Sequence, residues 1–161
     1  MKPFFTFLFK LILFIAIPLL IGSSSSYFAK DSMSQYKELI KPSFSPPGWI
    51  FGIMWTILYI LMGIASFRIY ISHAETKTKR AALAYYAAQL GVNFFWTIIF
   101  FHLQLRGLAL LWLILLWALI LLTMQKFYKI DKLSASLLLP YILWVSFAGI
   151  LNYEIWFLNK N

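Results

Sequence analysis

Amide and aromatic side chains recur at helical spacing in the most apolar parts of this chain. Gln89, Asn93 and Trp96 follow one another at intervals of four and three residues, which places them on one helix face. Comparable faces or clusters are formed by Gly52, Trp55, Tyr59, Gly63 and Ser66, by Tyr141, Trp144, Ala148 and Asn152, and by Gly22 with the serines 23–26. Such groups could stack on and hydrogen-bond a flat, largely apolar ligand. Alternatively they join helices, because a buried amide without a partner costs about 2 kcal/mol.

Other chemistry-bearing residues are few and scattered. His73, His102 and the five acidic residues lie between apolar stretches or at their ends, whereas a proton or ion relay needs such groups in series across a membrane. The chain has no cysteine, and it contains no HExxH, phosphate-loop or Ser-His-Asp pattern. We therefore predict no catalytic residue, no metal site and no required cofactor, and an ion-coupled transporter is disfavoured.

The elements that carry these faces are five uncharged stretches. They cover residues 11–28, 49–67, 81–105, 107–125 and 133–153, and about 20 residues of helix are enough to cross a bilayer. We predict an all-α integral membrane protein, a single domain over residues 1–161 formed by a bundle of five transmembrane helices. The expected spans are about 8–28, 47–69, 81–105, 107–127 and 133–155.

The charged residues indicate how the chain sits in the membrane. Nine of the 14 basic residues fall on the side of the N-terminus, which predicts a cytoplasmic N-terminus and an outward-facing first loop. The net charge of +9 is then explained by anchoring at anionic headgroups, and we expect no nucleic-acid partner. The alternative reading of residues 2–26 as a cleaved signal peptide is weakened because no A-x-A site follows the apolar run.

The first loop, residues 29–48, is the longest, and it ends in the sequence KPSFSPPGW over residues 41–49. Proline is tolerated in the first turn of a helix, and Ser45 could cap the helix that follows. Under one interpretation the segment only starts that helix rigidly and places Trp49 in the interfacial aromatic belt. Under the other, a loop of this length also closes a binding site.

Small residues repeat along the third span at the spacing typical of close helix contacts. They are Ala84 with Ala88 and Ala87 with Gly91. In lipid, small side chains let two helix backbones approach closely. The face therefore predicts contact either with another helix of the same chain or, in a homodimer, with a second copy.

Four separate motifs, in this order along the chain, resemble one known family. They are residues 41–49, Trp55-x-x-x-Tyr59-x-x-x-Gly63, residues 86–96 (YAAQLGVNFFW) with Phe100 and Phe101, and residues 140–153 (PYILWVSFAGILNY). The sequence is similar here to the TspO/translocator-protein family, also called tryptophan-rich sensory proteins or peripheral benzodiazepine receptors. The resemblance covers most of the chain, which makes it far more specific than any single motif.

The resemblance implies a bundle of five helices, commonly dimeric, that binds protoporphyrin IX and related tetrapyrroles or other hydrophobic ligands beneath the first loop. Together, the motifs and the helix faces predict ligand-binding residues Trp49, Trp55, Tyr59, Gln89, Asn93, Trp96, Trp144, Ala148, Leu151 and Asn152. The dimer interface would be formed by Ala84, Ala87, Ala88 and Gly91. A receptor or sensor of tetrapyrroles is the first functional hypothesis; light- or oxygen-dependent porphyrin degradation and tetrapyrrole transport are the alternatives.

Two positions depart from the family pattern. Ser43 and Phe44 stand where the family often has a tryptophan, which puts reaction chemistry on the ligand in doubt. The sterol-recognition pattern expected near the C-terminus fails, since Lys160 follows Tyr153 at too great a distance. We therefore predict no specific sterol binding, and we expect Trp144→Ala to weaken porphyrin binding.

Overall fold

The computed structural model describes residues 2–160, and within that part every regular element is helical. The elements are α1 (Lys2–Phe28), α2 (Ser32–Glu38), α3 (Gly48–Ile71), α4 (Thr76–Thr97), a π-helical turn (Ile98–His102), α5 (Arg106–Tyr128), α6 (Lys132–Ser136) and α7 (Leu139–Leu158). Five segments are long and apolar enough to cross a membrane: Phe4–Phe28, Gly48–Ile71, Thr76–His102, Arg106–Tyr128 and Lys132–Leu158. The predicted fold class, an all-α bundle of five membrane-spanning helices, is confirmed.

Short connections place consecutive spans side by side and antiparallel. Helices α3, α4, α5 and α7 supply most of the buried core, and α1 lies against α3 and α4. The fully buried apolar side chains include Leu58, Met62 and Ile69 of α3, Leu116 and Ile120 of α5, and Val145 and Ile155 of α7. Large exposed side chains such as Leu111 and Leu143 then face the lipid, whose acyl chains solvate them.

The start of α3 is set by proline rather than by a side-chain cap. Pro47 precedes the first helical residue, Gly48, and no side chain caps the helix there. Ser45, which the sequence placed as a cap, instead lies in a turn closed by its own backbone N–H, which donates to the Pro42 carbonyl at 3.1 Å. The expected cap is therefore wrong, and the fixed backbone of residues 46 and 47 is what ends the loop.

Helices α1 and α3 touch at the level of their backbones. A Cβ atom on Gly63 would lie 2.5 Å from Ile15 Cα and 2.8 Å from the Phe14 carbonyl oxygen, so only glycine permits this approach. Nearer the first loop, a Cβ on Gly22 would lie 2.1 Å from the Tyr59 ring. The first glycine holds the two helices together, and the second admits an aromatic ring between them.

An ion pair joins α3 to the start of α6 at the end of the bundle opposite the first loop. Arg68 near the end of α3 donates to both carboxylate oxygens of Asp131, at 2.7 and 3.1 Å. The same carboxylate accepts the Ser134 backbone N–H at 3.1 Å and so caps α6. The hydrogen bonds from Arg68 and Ser134 lower the pKa of Asp131 to about 2, which keeps the pair charged at any pH near neutrality.

Candidate functional site

A cavity of about 430 Å³ lies among the helix ends beneath the first loop. Its volume falls within the range typical of small-molecule sites, about 300–1,000 Å³. Helices α1, α3 and α7, the α4 end with its π-helical turn, and the short loop helix α2 all contribute. The lining residues are Leu19, Gly22, Ser23, Ser26, Tyr36, Phe51, Gly52, Trp55, Thr56, Tyr59, Trp96, Thr97, Phe100, Phe101, Ala148, Leu151, Asn152 and Ile155.

Aromatic rings form two clusters in the wall, one on α3 and one at the end of α4. Trp55 stacks on Tyr59 with ring centroids 5.5 Å apart and 26° between the planes. In the second cluster the ring centroids of Trp96 and Phe100 are 5.4 Å apart, and Phe101 packs edge-on against Phe100 at 4.7 Å. Rings held in this way present flat, rigid faces, which suit a planar aromatic ligand.

The polar side-chain groups of the lining are hydroxyls, two indole N–H groups and one amide, and none of the described lining residues is charged. Asn152 is fixed on both sides: its oxygen accepts from Trp96 Nε1 at 3.3 Å, and its nitrogen donates to the Arg106 carbonyl at 2.8 Å. Ser23, Ser26, Thr56 and Thr97 supply the hydroxyls. A site of this composition favours a mainly apolar ligand with a few hydrogen-bonding groups.

A buried hydrogen-bond network lies behind the Tyr59 wall. Tyr59 donates to the Asn93 oxygen at 2.8 Å, and the Asn93 amide nitrogen donates to the Tyr141 hydroxyl at 3.1 Å. Tyr141 in turn donates to the Gln89 oxygen at 2.7 Å. The network ties α3, α4 and α7 together and orients the Tyr59 ring, so these two amides bind other helices.

The first loop covers the cavity, and hydrogen bonds within the loop and to the residue after α7 hold it there. Tyr36 of α2 is 5% exposed, donates to the Pro46 carbonyl at 3.1 Å and packs edge-on against Phe51. The Lys41 ammonium donates to three backbone carbonyls around the end of α2, the shortest at 2.7 Å from Tyr36 O. Asn159 beyond α7 exchanges two hydrogen bonds with the backbone of Ile40. The loop therefore forms a roof over the cavity, to which α2 contributes Tyr36.

The structure brings six of the ten predicted site residues into the cavity lining. These are Trp55, Tyr59, Trp96, Ala148, Leu151 and Asn152. Gln89 and Asn93 lie one layer behind, in the tyrosine network. Trp144 lies behind Phe51, 5.7 Å away, and Trp49, 65% exposed, lines a separate groove with Lys37 and Pro46.

The ten predicted site residues include none from α1 or α2, although the cluster of Gly22 with the serines 23–26 was a candidate and the first loop was expected, under one interpretation, to close a site. Gly22, Ser23 and Ser26 interrupt an otherwise apolar helix, and that interruption was the available signal. Nothing in the sequence pattern distinguishes Tyr36, because its role depends on how the loop folds back over the bundle. Phe100 and Phe101 belong to a family motif but had no assigned function.

The small residues of α4 form an uncovered stripe. Ala84, Ala87, Ala88 and Gly91 are all exposed, and a Cβ on Gly91 would meet nothing within 4 Å. The other helices of the same chain therefore leave most of this face uncovered. The stripe is open toward the membrane.

A profile of the TspO/MBR family matches residues 14–157, which includes every helix that lines the cavity except the loop-distal part of α1. The chain belongs to the TspO/MBR family. It is 41% identical over 138 residues to protein CrtK of Rhodobacter capsulatus, covering 86% of this chain and 85% of that protein. It is 40% identical over 152 residues to the tryptophan-rich protein TspO of Archaeoglobus fulgidus, covering 93% and 97%.

The similarity extends to animal members of the family. The chain is 34% identical over 133 residues to the human translocator protein, covering 82% of this chain and 79% of that protein. The resemblance drawn from the four motifs is thus confirmed. Together with the five apolar helices, membership of the TspO/MBR family identifies a multi-pass integral membrane protein.

Proposed function

We propose that this protein is a membrane receptor that binds porphyrins, such as protoporphyrin IX or heme-like tetrapyrroles, and related flat hydrophobic ligands in the cavity beneath the first loop. The observation that carries the proposal is an aromatic-walled cavity with no charged residue in its described lining. One relative is named a tryptophan-rich sensory protein, and this name supports the sensing part of the proposal.

Different side chains of the cavity would contact the face and the polar groups of the ligand. Trp55 and Trp96 supply the faces on which a macrocycle stacks, each backed by a second ring, Tyr59 or Phe100. Asn152 offers an amide already oriented by two hydrogen bonds. Because the cavity lining carries no cation, carboxylate groups on a porphyrin edge are best accommodated where the cavity opens.

Titration of protoporphyrin IX into the detergent-purified protein tests this proposal. We expect saturable binding with micromolar or tighter affinity, seen both as tryptophan quenching and as a shift of the porphyrin absorption band. Trp55 and Trp96 lie in the lining, so quenching should be strong. A well-folded protein that shows no saturable change in either signal would contradict the proposal and leave the family assignment to describe the fold alone.

Degradation and transport of the same ligand remain the alternative functions. The stacked pair of Trp55 and Tyr59 places oxidisable rings directly at the cavity, which is the observation that favours light- or oxygen-dependent degradation. Porphyrin bands that stay constant under illumination in air would exclude it. Flux of porphyrin across proteoliposomes would distinguish transport from binding.

We further infer that the N-terminus lies in the cytoplasm. We also infer that the protein forms a homodimer through the exposed α4 stripe. We expect the wild type to sediment as a dimer in detergent. Gly91→Leu adds bulk where helices would meet and should weaken association about tenfold or more. Gly149→Leu on α7 is the matched control, because a Cβ there also meets nothing within 4 Å. Equal association of the two variants would rule out this interface.

A further inference from the structure

The two helices that form one side of the cavity separate toward the first loop. At Gly63 the backbones of α1 and α3 are in contact, and at Gly22 a tyrosine ring fills the space between them. At Gly52, nearer the start of α3, a Cβ would meet nothing within 4 Å. The helices thus diverge progressively, and the gap between them is widest beside the cavity.

The exposed part of the cavity lining coincides with this gap. Four lining residues are exposed, Ser23 and Ser26 on α1 and Gly52 and Thr56 on α3. The remaining described lining residues are buried or half-buried, including Tyr36 in the roof. The cavity therefore opens between α1 and α3, sideways through the bundle.

The surroundings of the opening are apolar and lie within two membrane-spanning segments. Gly52 is four residues into α3, about 6 Å below its first residue at 1.5 Å per residue. On either side stand Leu20, 65% exposed, and Ile53, 52% exposed. Exposed apolar side chains in a membrane-spanning helix are solvated by lipid, so the opening faces the bilayer near its loop-side surface.

We propose that the ligand is loaded from the bilayer through this opening, and that Ser23, Ser26, Gly52 and Thr56 determine which ligands pass. The inference rests on the proposed binding function of the cavity. Small side chains at all four positions leave a slot for a flat apolar molecule. The hydroxyls of Ser23 and Ser26 make no hydrogen bond within residues 2–160, which leaves them free to bind a carboxylate or other polar edge of the ligand.

The first test compares loading rates in proteoliposomes that contain membrane-partitioned protoporphyrin IX. Ser26→Leu and Gly52→Leu narrow the opening and should slow both association and dissociation of the porphyrin about tenfold. Ser24→Leu is the matched control: it makes the same substitution on the same helix, at an exposed position outside the cavity lining. Unchanged rates in both narrowing variants would overturn the proposal.

A second test does not depend on porphyrin. Ala148 lines the cavity and is 5% exposed. The chain has no cysteine, so Ala148→Cys gives a protein with a single thiol. A lipid-soluble maleimide should label it, and Gly52→Leu or Ser26→Leu in the same background should slow labelling about tenfold, while Ser24→Leu should not.

The two tests separate the failure of the opening from the failure of the proposed function. Slower labelling in both narrowing variants supports the opening, even in a protein that does not bind porphyrin. Labelling that is equally fast in all variants, or no labelling from the lipid phase, overturns it, even in a protein that binds porphyrin tightly.

Discussion

Gly63→Leu is expected to lower the free energy of unfolding by about 3 kcal/mol or more and to separate α1 from α3. The new Cβ alone would lie 2.5 Å from Ile15 Cα and 2.8 Å from the Phe14 carbonyl oxygen. Both are backbone atoms of a helix, and they move only if the whole of α1 moves. Thermal unfolding in detergent, followed by circular dichroism, measures the loss.

Gly149→Leu is the control for this prediction. It introduces the same side chain into a spanning helix at a position where a Cβ meets nothing within 4 Å, so we expect a change within about 0.5 kcal/mol. The loss of stability in Gly63→Ala should fall between those of Gly63→Leu and Gly149→Leu. If Gly63→Leu is as stable as Gly149→Leu, then α1 and α3 are not in close contact at Gly63. The opening between these two helices would then not end at that glycine.

The five spans could be predicted because charge and hydropathy determine which segments can cross a bilayer. What could not be predicted is how each span is built. The last expected span, 133–155, is divided into α6 and α7 by a break near Leu138, where Pro140 lies in the first turn of α7 and donates no backbone hydrogen bond. The expected span was drawn as one helix because the run from residue 133 to 153 carries no charge. Pro140, a residue favoured in the first turn of a helix, was the available signal for the break.

In the candidate site, too, the sequence predicts some features and not others. Polarity alone predicts that Gln89 and Asn93 face the interior, and both are at most 3% exposed. Their partners are Tyr59 and Tyr141 on other helices, and a helical face in the sequence carries no information about what lies opposite. One face thus has two structural roles: Asn93 joins helices, whereas Trp96, three residues later, lines the cavity. That the cavity-lining part of the face binds a ligand stays a prediction.

The tryptophans give the sharpest test of where the ligand lies. Trp55 lines the cavity and stacks on Tyr59, so Trp55→Ala should weaken protoporphyrin IX binding by about 2 kcal/mol, or roughly thirtyfold. Trp55→Phe keeps a flat ring at the wall and should restore most of the affinity. Equilibrium titration of each variant, with circular dichroism to verify its folding, measures the effect.

Trp144→Ala distinguishes this geometry from the assignment made by motif. Trp144 contacts Phe51 and Phe147 and is absent from the cavity lining, so we expect its loss to act on the ligand indirectly, mainly through Phe51. We expect a weakening of about threefold, well below that of Trp55→Ala. If Trp144→Ala instead has the larger effect, the ligand lies on the far side of Phe51, beneath residues 45–49, where Trp49 and Lys41 line the second groove. The sequence-based placement of Trp49 and Trp144 at the site would then be correct, and the side opening would lead elsewhere than to the bound ligand.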